Sequence, residues 1–222
     1  MFKNRKEAGV LLAKKLDKEG LIHPEAVVLG ISRGGLVLAD EVASYFNLPL
    51  DVIIVKKLSA PLDAELAIGA VGETKGSKFL EKSMIRDLQI SDSYLQTELN
   101  SKVSEIKDRE KKYRRGKKQL PLSGKEVIIV DDGSATGATM ISAAREVWNN
   151  QPSRLILAIP VVPLDTLLKL EKEADSVIAL ETPSVFFSVS QFYEKFPQLT
   201  DTEVEYLLKN RRLLNDPARR QG

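Results

Sequence analysis

The chain has 222 residues, enough for one α/β domain with a small accessory lobe and short for two full-sized domains. Charged residues make up 29% and hydrophobic residues 43%, a mixture that can bury a core, and 33 Lys and Arg against 31 Asp and Glu leave a net charge of +2, which excludes a global bias toward nucleic acid or membrane. The absence of cysteine excludes disulfides, thiolate zinc sites and cysteine nucleophiles, and the single His23, in a turn before Pro24, cannot build a multi-histidine metal site.

From Asn4, an N-x-x-E box with Glu7 followed by Ala8, Leu11, Leu12 and Leu16 predicts an amphipathic helix that ends at Gly20. Residues 27–31, apolar and bounded by Pro24 and by Gly34 and Gly35, read as a strand buried on both faces. A helix over 36–46 and a second buried strand over 52–55 complete a βαβ unit, and 66–71 suits a further strand. A long charged helix is expected from Ser91 to Arg115, with Leu95, Leu99, Val103, Ile106 and Tyr113 on one stripe. Strands over 127–130, 155–159 and 177–180 then alternate with helices over 138–148 and from Pro163 to Ala174. This alternation predicts an α/β fold, a parallel sheet of about five strands flanked by helices, with ligands beyond the carboxyl ends of the strands. No apolar run approaches the roughly 18 residues that span a bilayer. The stretch from Ala8 to Ala13, broken by Lys14 and Lys15, is too short for a signal-peptide core, so a cytoplasmic location is expected.

The most informative segment follows the strand over 127–130: Asp131, Asp132, Gly133, Ser134, Ala135, Thr136, Gly137, Ala138 and Thr139. Backbone N–H groups in such a loop, the positive end of the following helix and the hydroxyls of Ser134, Thr136 and Thr139 form a cradle for one phosphate. The two carboxylates repel phosphate but suit sugar hydroxyls or a magnesium ion, so together they read as a ribose 5-phosphate site. The competing reading is a capped helix after a strand whose acids are solvated. No lysine follows the glycine as in a Walker A loop, and no G-x-G-x-x-G is present.

Four apolar residues, Asp-Asp and a closing T-G-x-T resemble the signature with which type I phosphoribosyltransferases bind 5-phosphoribosyl-1-pyrophosphate (PRPP). Ser32, Arg33, Gly34 and Gly35 after the first strand are similar to that family's pyrophosphate loop, where glycines let backbone amides approach the diphosphate and arginine neutralises it. Lys56 and Lys57, closing the second strand, stand where the family places a basic residue on the pyrophosphate. The resemblance implies one phosphoribosyltransferase-like domain over 1–222, its core at about 24–181, with a small hood drawn from 1–20, 75–118 and 182–216. It also implies Mg²⁺ as cofactor, held by Asp131 and Asp132 or through PRPP itself, and a homodimer is compatible with it.

Within the family, the enzymes that salvage 6-oxopurines carry an aspartate where this chain has Ala135. The run from Asp131 to Met140 is closer to the adenine-type transferases, and closer still to a branch with R-G-G and D-D-G-x-A-T-G-A-T that has no established base. In adenine-type enzymes a glutamate of a mobile loop is thought to handle the proton, for which Glu65 and Glu73 are the candidates. The aromatic tail resembles a base-binding hood, with Phe186 or Phe187 stacking on the ring or packing in the core. The implied reaction is transfer of ribose 5-phosphate from PRPP to a purine-like nitrogenous base with release of pyrophosphate. The alternative is a PRPP-sensing regulator that binds nucleic acid through Lys111, Lys112, Arg114, Arg115, Lys117 and Lys118, although cations at a helix end also suit the helix dipole. A ribose-phosphate pyrophosphokinase shares the Asp-Asp motif, but the chain shows no ATP site.

Overall fold

A computed structural model describes residues 1–116 and 118–214, with the side chains of 64, 65, 75 and 212–214 outside the description. The elements run in order α1 (Arg5–Lys18), β1 (Val27–Ile31), α2 (Gly35–Phe46), β2 (Leu50–Ile53), β3 (Lys56–Ala60), β4 (Asp63–Val71), β5 (Phe79–Leu80), α3 (Lys82–Asp87), α4 (Asp92–Arg114), β6 (Glu126–Val130), α5 (Ala138–Trp148), β7 (Arg154–Val161), α6 (Leu164–Leu170), β8 (Ser176–Glu181) and α7 (Asp201–Leu214).

The expected five-stranded parallel sheet is present, in the order β2-β1-β6-β7-β8. Its strands are apolar on both faces, because successive side chains alternate between two cores. Val28, Val52, Ile128, Val130 and Ile156 pack with α1, α2, α4 and α7, whereas Val27, Leu29, Ile31, Ile129 and Leu157 pack with α5 and α6. The chain leaves β1 toward one edge and β6 toward the other. The carboxyl ends of these adjacent strands therefore border the crevice where the strand order reverses.

Local sequence explains the ends of these elements. Asn4 caps α1 by accepting the Glu7 N–H at 3.0 Å, as its N-x-x-E box predicts. The α4 stripe of Leu95, Leu99, Val103, Ile106 and Tyr113 is buried as its spacing requires.

Two expectations are corrected. Lys56 and Lys57 do not close β2, which ends at Ile53; they open β3 of a separate antiparallel sheet, β3-β4-β5, with Leu66 within β4. The helix from Pro163 ends at Leu170. Helices α3 and α7 complete the fold outside the expected pattern. Among the described residues no helix is long and apolar enough to cross a membrane.

Candidate functional site

Two loops meet at the crevice between β1 and β6. The first, from Ser32 to Gly34, turns into α2; its Ser32–Arg33 peptide is cis and the Ser32 N–H is held by the Ile53 carbonyl at 3.1 Å. The second, from Asp131 to Gly137, turns into α5 and is pinned where the Ser134 N–H reaches the Val161 carbonyl at 3.1 Å and the Thr166 hydroxyl donates to the Ala135 carbonyl at 2.7 Å. Gly137 takes a left-handed conformation (φ +84°) that swings the chain into α5, and the Thr136 hydroxyl accepts the Ala138 N–H at 3.4 Å.

Together the loops border a cleft of about 530 Å³. Ser32, Arg33 and Gly34 line one side; Asp131, Asp132, Gly133, Ser134, Ala135, Thr136 and Thr139 line the other. Gly35, Gly137 and Ala138 stand behind them, where α2 and α5 begin. Lys57 also lines the cleft. Lys56 does not: it points to α4 and pairs with Glu105 at 2.9 Å, because consecutive strand residues face opposite sides.

The acid pair is held rather than solvated. The Asp132 N–H donates to Asp131 Oδ1 at 2.9 Å, and Asp132 Oδ2 accepts Arg5 Nε at 2.7 Å. Burial pushes both carboxyls above the usual carboxylate range, Asp132 raises Asp131 further, and Arg5 and Lys57 act in the opposite direction. The Ser32 hydroxyl oxygen is buried without a hydrogen-bond partner among the described residues. Arg33 lies 3.9 Å from Asp201 at the start of α7.

The remaining candidates are placed elsewhere. Phe187 is 87% exposed and Phe186 packs tilted against Phe192 at 5.2 Å; the larger apolar side chains of the cleft are instead Ile31, Val55, Leu66, Met84, Val189 and Phe196. Glu73 sits away from the cleft in a buried cluster, 3.3 Å from Arg114, which also grips Asp51 at 2.7 Å. Burial pushes the Glu73 carboxyl up to about 7, opposed by Arg114 and reinforced by Glu110 and Glu146. Glu65 is on β4, but its side chain lies outside the described residues. In the basic run, Lys111, Lys112, Arg114 and Arg115 pair with Asp108, Asp201, Asp51 and Glu205, so these four cations do not form an uncompensated stripe; Lys117 lies outside the described residues.

Arg5 carries no motif, whereas Tyr193 and Phe196 belong to the aromatic tail that resembles a hood. The one available signal for Arg5 is its position, since a cation in the first turn of a helix opposes the helix dipole. Among the described residues no group of three or more metal-ligating side chains occurs, so a cation on the acid pair would draw its other ligands from a bound substrate or water.

A model of the phosphoribosyl transferase domain matches residues 4–197. A Mycobacterium tuberculosis protein, provisionally named a phosphoribosyl transferase, is 38% identical over 204 residues, which cover 92% of this chain and 45% of that protein; the chain thus spans about half the length of this relative. A crystal structure of a Thermus thermophilus protein is 39% identical with a TM-score of 0.77, covering 94% of this chain and 98% of that one. A protein of Aquifex aeolicus shares the fold at 16% identity, with a TM-score of 0.51 over 79% of this chain and 72% of its own.

Proposed function

The chain belongs to the phosphoribosyltransferase family, and from that premise we propose that its cleft binds PRPP and transfers the ribose 5-phosphate to a nitrogenous base with release of pyrophosphate. The observation that carries this reading is the convergence of the buried acid pair, the hydroxyl-lined loop into α5 and the Ser32–Gly34 loop on one cleft at the sheet's switch point. The 5-phosphate suits the nest of N–H groups and the hydroxyls of Ser134, Thr136 and Thr139. The diphosphate suits Arg33, Lys57 and the buried Ser32 hydroxyl, which has no hydrogen-bond partner among the described residues, and the ribose hydroxyls suit Asp131 and Asp132.

The reaction breaks the bond from ribose C1 to the pyrophosphate oxygen and forms a bond from C1 to a ring nitrogen, which gives up its proton to the departing pyrophosphate or to water. Positive charge builds on the ribose as the leaving group departs. Asp131 and Asp132 stabilise it electrostatically while Arg33 and Lys57 take the negative charge on pyrophosphate. Magnesium fits the site, since two buried carboxylates face one paired arginine, and bound there it would neutralise the diphosphate. Apart from Asp131 and Asp132, the described cleft residues include no carboxylate to accept the acceptor's proton. Ala135 stands where the 6-oxopurine enzymes that the motif resembles carry an aspartate, and this favours a 6-aminopurine or related base over hypoxanthine and guanine.

The test is pyrophosphate release from magnesium PRPP across a panel of bases. Release with an aminopurine supports the reading; faster turnover of hypoxanthine than adenine contradicts the choice of base, and binding of PRPP without release for any base contradicts transfer.

A further inference from the structure

Asp132 is gripped at two points by residues from opposite ends of the chain, neither belonging to the loops that form the cleft. Arg5 Nε donates to its Oδ2 at 2.7 Å, and the Tyr193 hydroxyl donates to its backbone carbonyl at 2.6 Å. Arg5 is itself fixed: Nη1 donates to the Pro197 carbonyl at 2.7 Å, and the guanidinium lies over the Phe196 ring, 3.6 Å from its centroid. Tyr193 is buried between Phe2 at 5.3 Å and Phe196 at 4.9 Å. Main-chain bonds lace the two segments together, with the Phe2 N–H on the Phe192 carbonyl, the Glu194 N–H on the Phe2 carbonyl and the Lys195 N–H on the Lys3 carbonyl.

Stability alone does not explain this. An ion pair whose side chains are 11% and 15% exposed sacrifices most of its hydration and gains little net stability, and the arginine sits at the helix end that disfavours it. What the arrangement does deliver is a single orientation for one carboxylate. With Oδ2 committed to Arg5 and the backbone anchored by Tyr193, the Oδ1 atom of Asp132 has a fixed place at the cleft.

We infer that Arg5 and Tyr193 are positioning residues, a clamp built from residues 1–5 and 192–197 that preorganises Asp132 for the ribose hydroxyls. The inference rests on the reading of the cleft as a PRPP site. Groups that orient a ligating side chain in this way carry effects of about 10- to 100-fold when removed.

The experiment measures affinity by calorimetry for magnesium PRPP and, separately, for magnesium pyrophosphate, in the unaltered protein and in Arg5→Ala, Arg5→Lys and Tyr193→Phe, each checked by thermal melting. Arg5→Ala should weaken PRPP by about 10-fold or more and pyrophosphate by less than about 2-fold. Arg5→Lys should recover part of the loss, and Tyr193→Phe, which leaves the ring packing intact, should show a smaller loss with the same selectivity. PRPP affinity unchanged in Arg5→Ala would overturn the clamp. So would equal loss of both ligands in Arg5→Ala with no effect of Tyr193→Phe, which marks a general packing role. Failure of the unaltered protein to bind PRPP would instead overturn the reading of the cleft, and the clamp with it.

Discussion

Gly34 and Asp132 approach so closely that a Cβ on Gly34 would stand 1.9 Å from Asp132 Oδ2. The loop after β1 and the acid pair after β6 are therefore one packed unit, and only a residue without a side chain allows the carboxylate its place beside Arg5. Gly34→Ala must push either the loop or Asp132 aside. Either displacement breaks a charge-assisted contact at the acid pair, worth about 1.5 to 3 kcal/mol, so PRPP affinity should fall by about 10-fold or more while the far-UV circular dichroism stays that of the parent. Unchanged PRPP affinity would show that the two loops move independently.

Lys56 and Lys57 separate cleanly because β3 turns one toward Glu105 and the other toward the cleft. Lys57→Ala removes a cation beside the acid pair and should weaken PRPP by about 10-fold, in the range of a charge-assisted contact. Lys56→Ala breaks only a partly exposed ion pair and should change affinity by less than about 2-fold. Calorimetry on both variants checks the assignment; the reverse order would place the wrong lysine at the diphosphate.

Arg33 lines the cleft, 3.9 Å from Asp201. Arg33→Ala should weaken PRPP by about 10-fold or more and leave ribose 5-phosphate nearly unaffected, since only the first carries the diphosphate. Equal weakening of both ligands would move Arg33 out of the diphosphate site.

Glu73 gives stability a pH dependence. Its carboxyl is pushed up to about 7 from an ordinary 4.5, chiefly by burial, so the folded chain holds the proton more tightly than the unfolded chain. The resulting stabilisation is complete below pH 4.5 and is lost as pH rises toward 7, a difference of about 3 kcal/mol at most. Glu73→Gln, which keeps the shape without the charge, should therefore gain stability relative to the parent as pH rises from about 5 to about 8 in urea melts. A stability difference that does not change with pH would contradict this.

The two loops of the site were legible because each lies where a continuous apolar run stops and small or acidic residues begin, a contrast that Ile31 to Ser32 and Val130 to Asp131 make sharply. The fold class followed from the same runs. The β3–β4 hairpin was less legible, since Lys56, Lys57 and Ser59 dilute its apolar alternation and the two lysines directly follow an apolar run that reads as the preceding strand. Helix α7 did carry a signal: Thr200 and Glu203 bond each other's backbone N–H groups in a capping box ahead of buried Val204 and Leu208. Aromatic residues are apolar wherever they fall, so no local pattern could favour Phe196 over Phe186 or Phe187. The role of Arg5 depends on a contact 127 positions away, which periodicity does not encode.

Calorimetric titration of magnesium PRPP into the parent and the Asp131→Asn, Asp132→Asn double variant tests the central claim most directly. The substitutions preserve the size of the side chains and remove the charge that suits them to ribose hydroxyls. The account predicts that the parent binds and that the double variant, which loses two hydrogen bonds to charged groups, drops about 100-fold in affinity with an unchanged fold. Affinity within about threefold of the parent would contradict the assignment of the acid pair to the ribose.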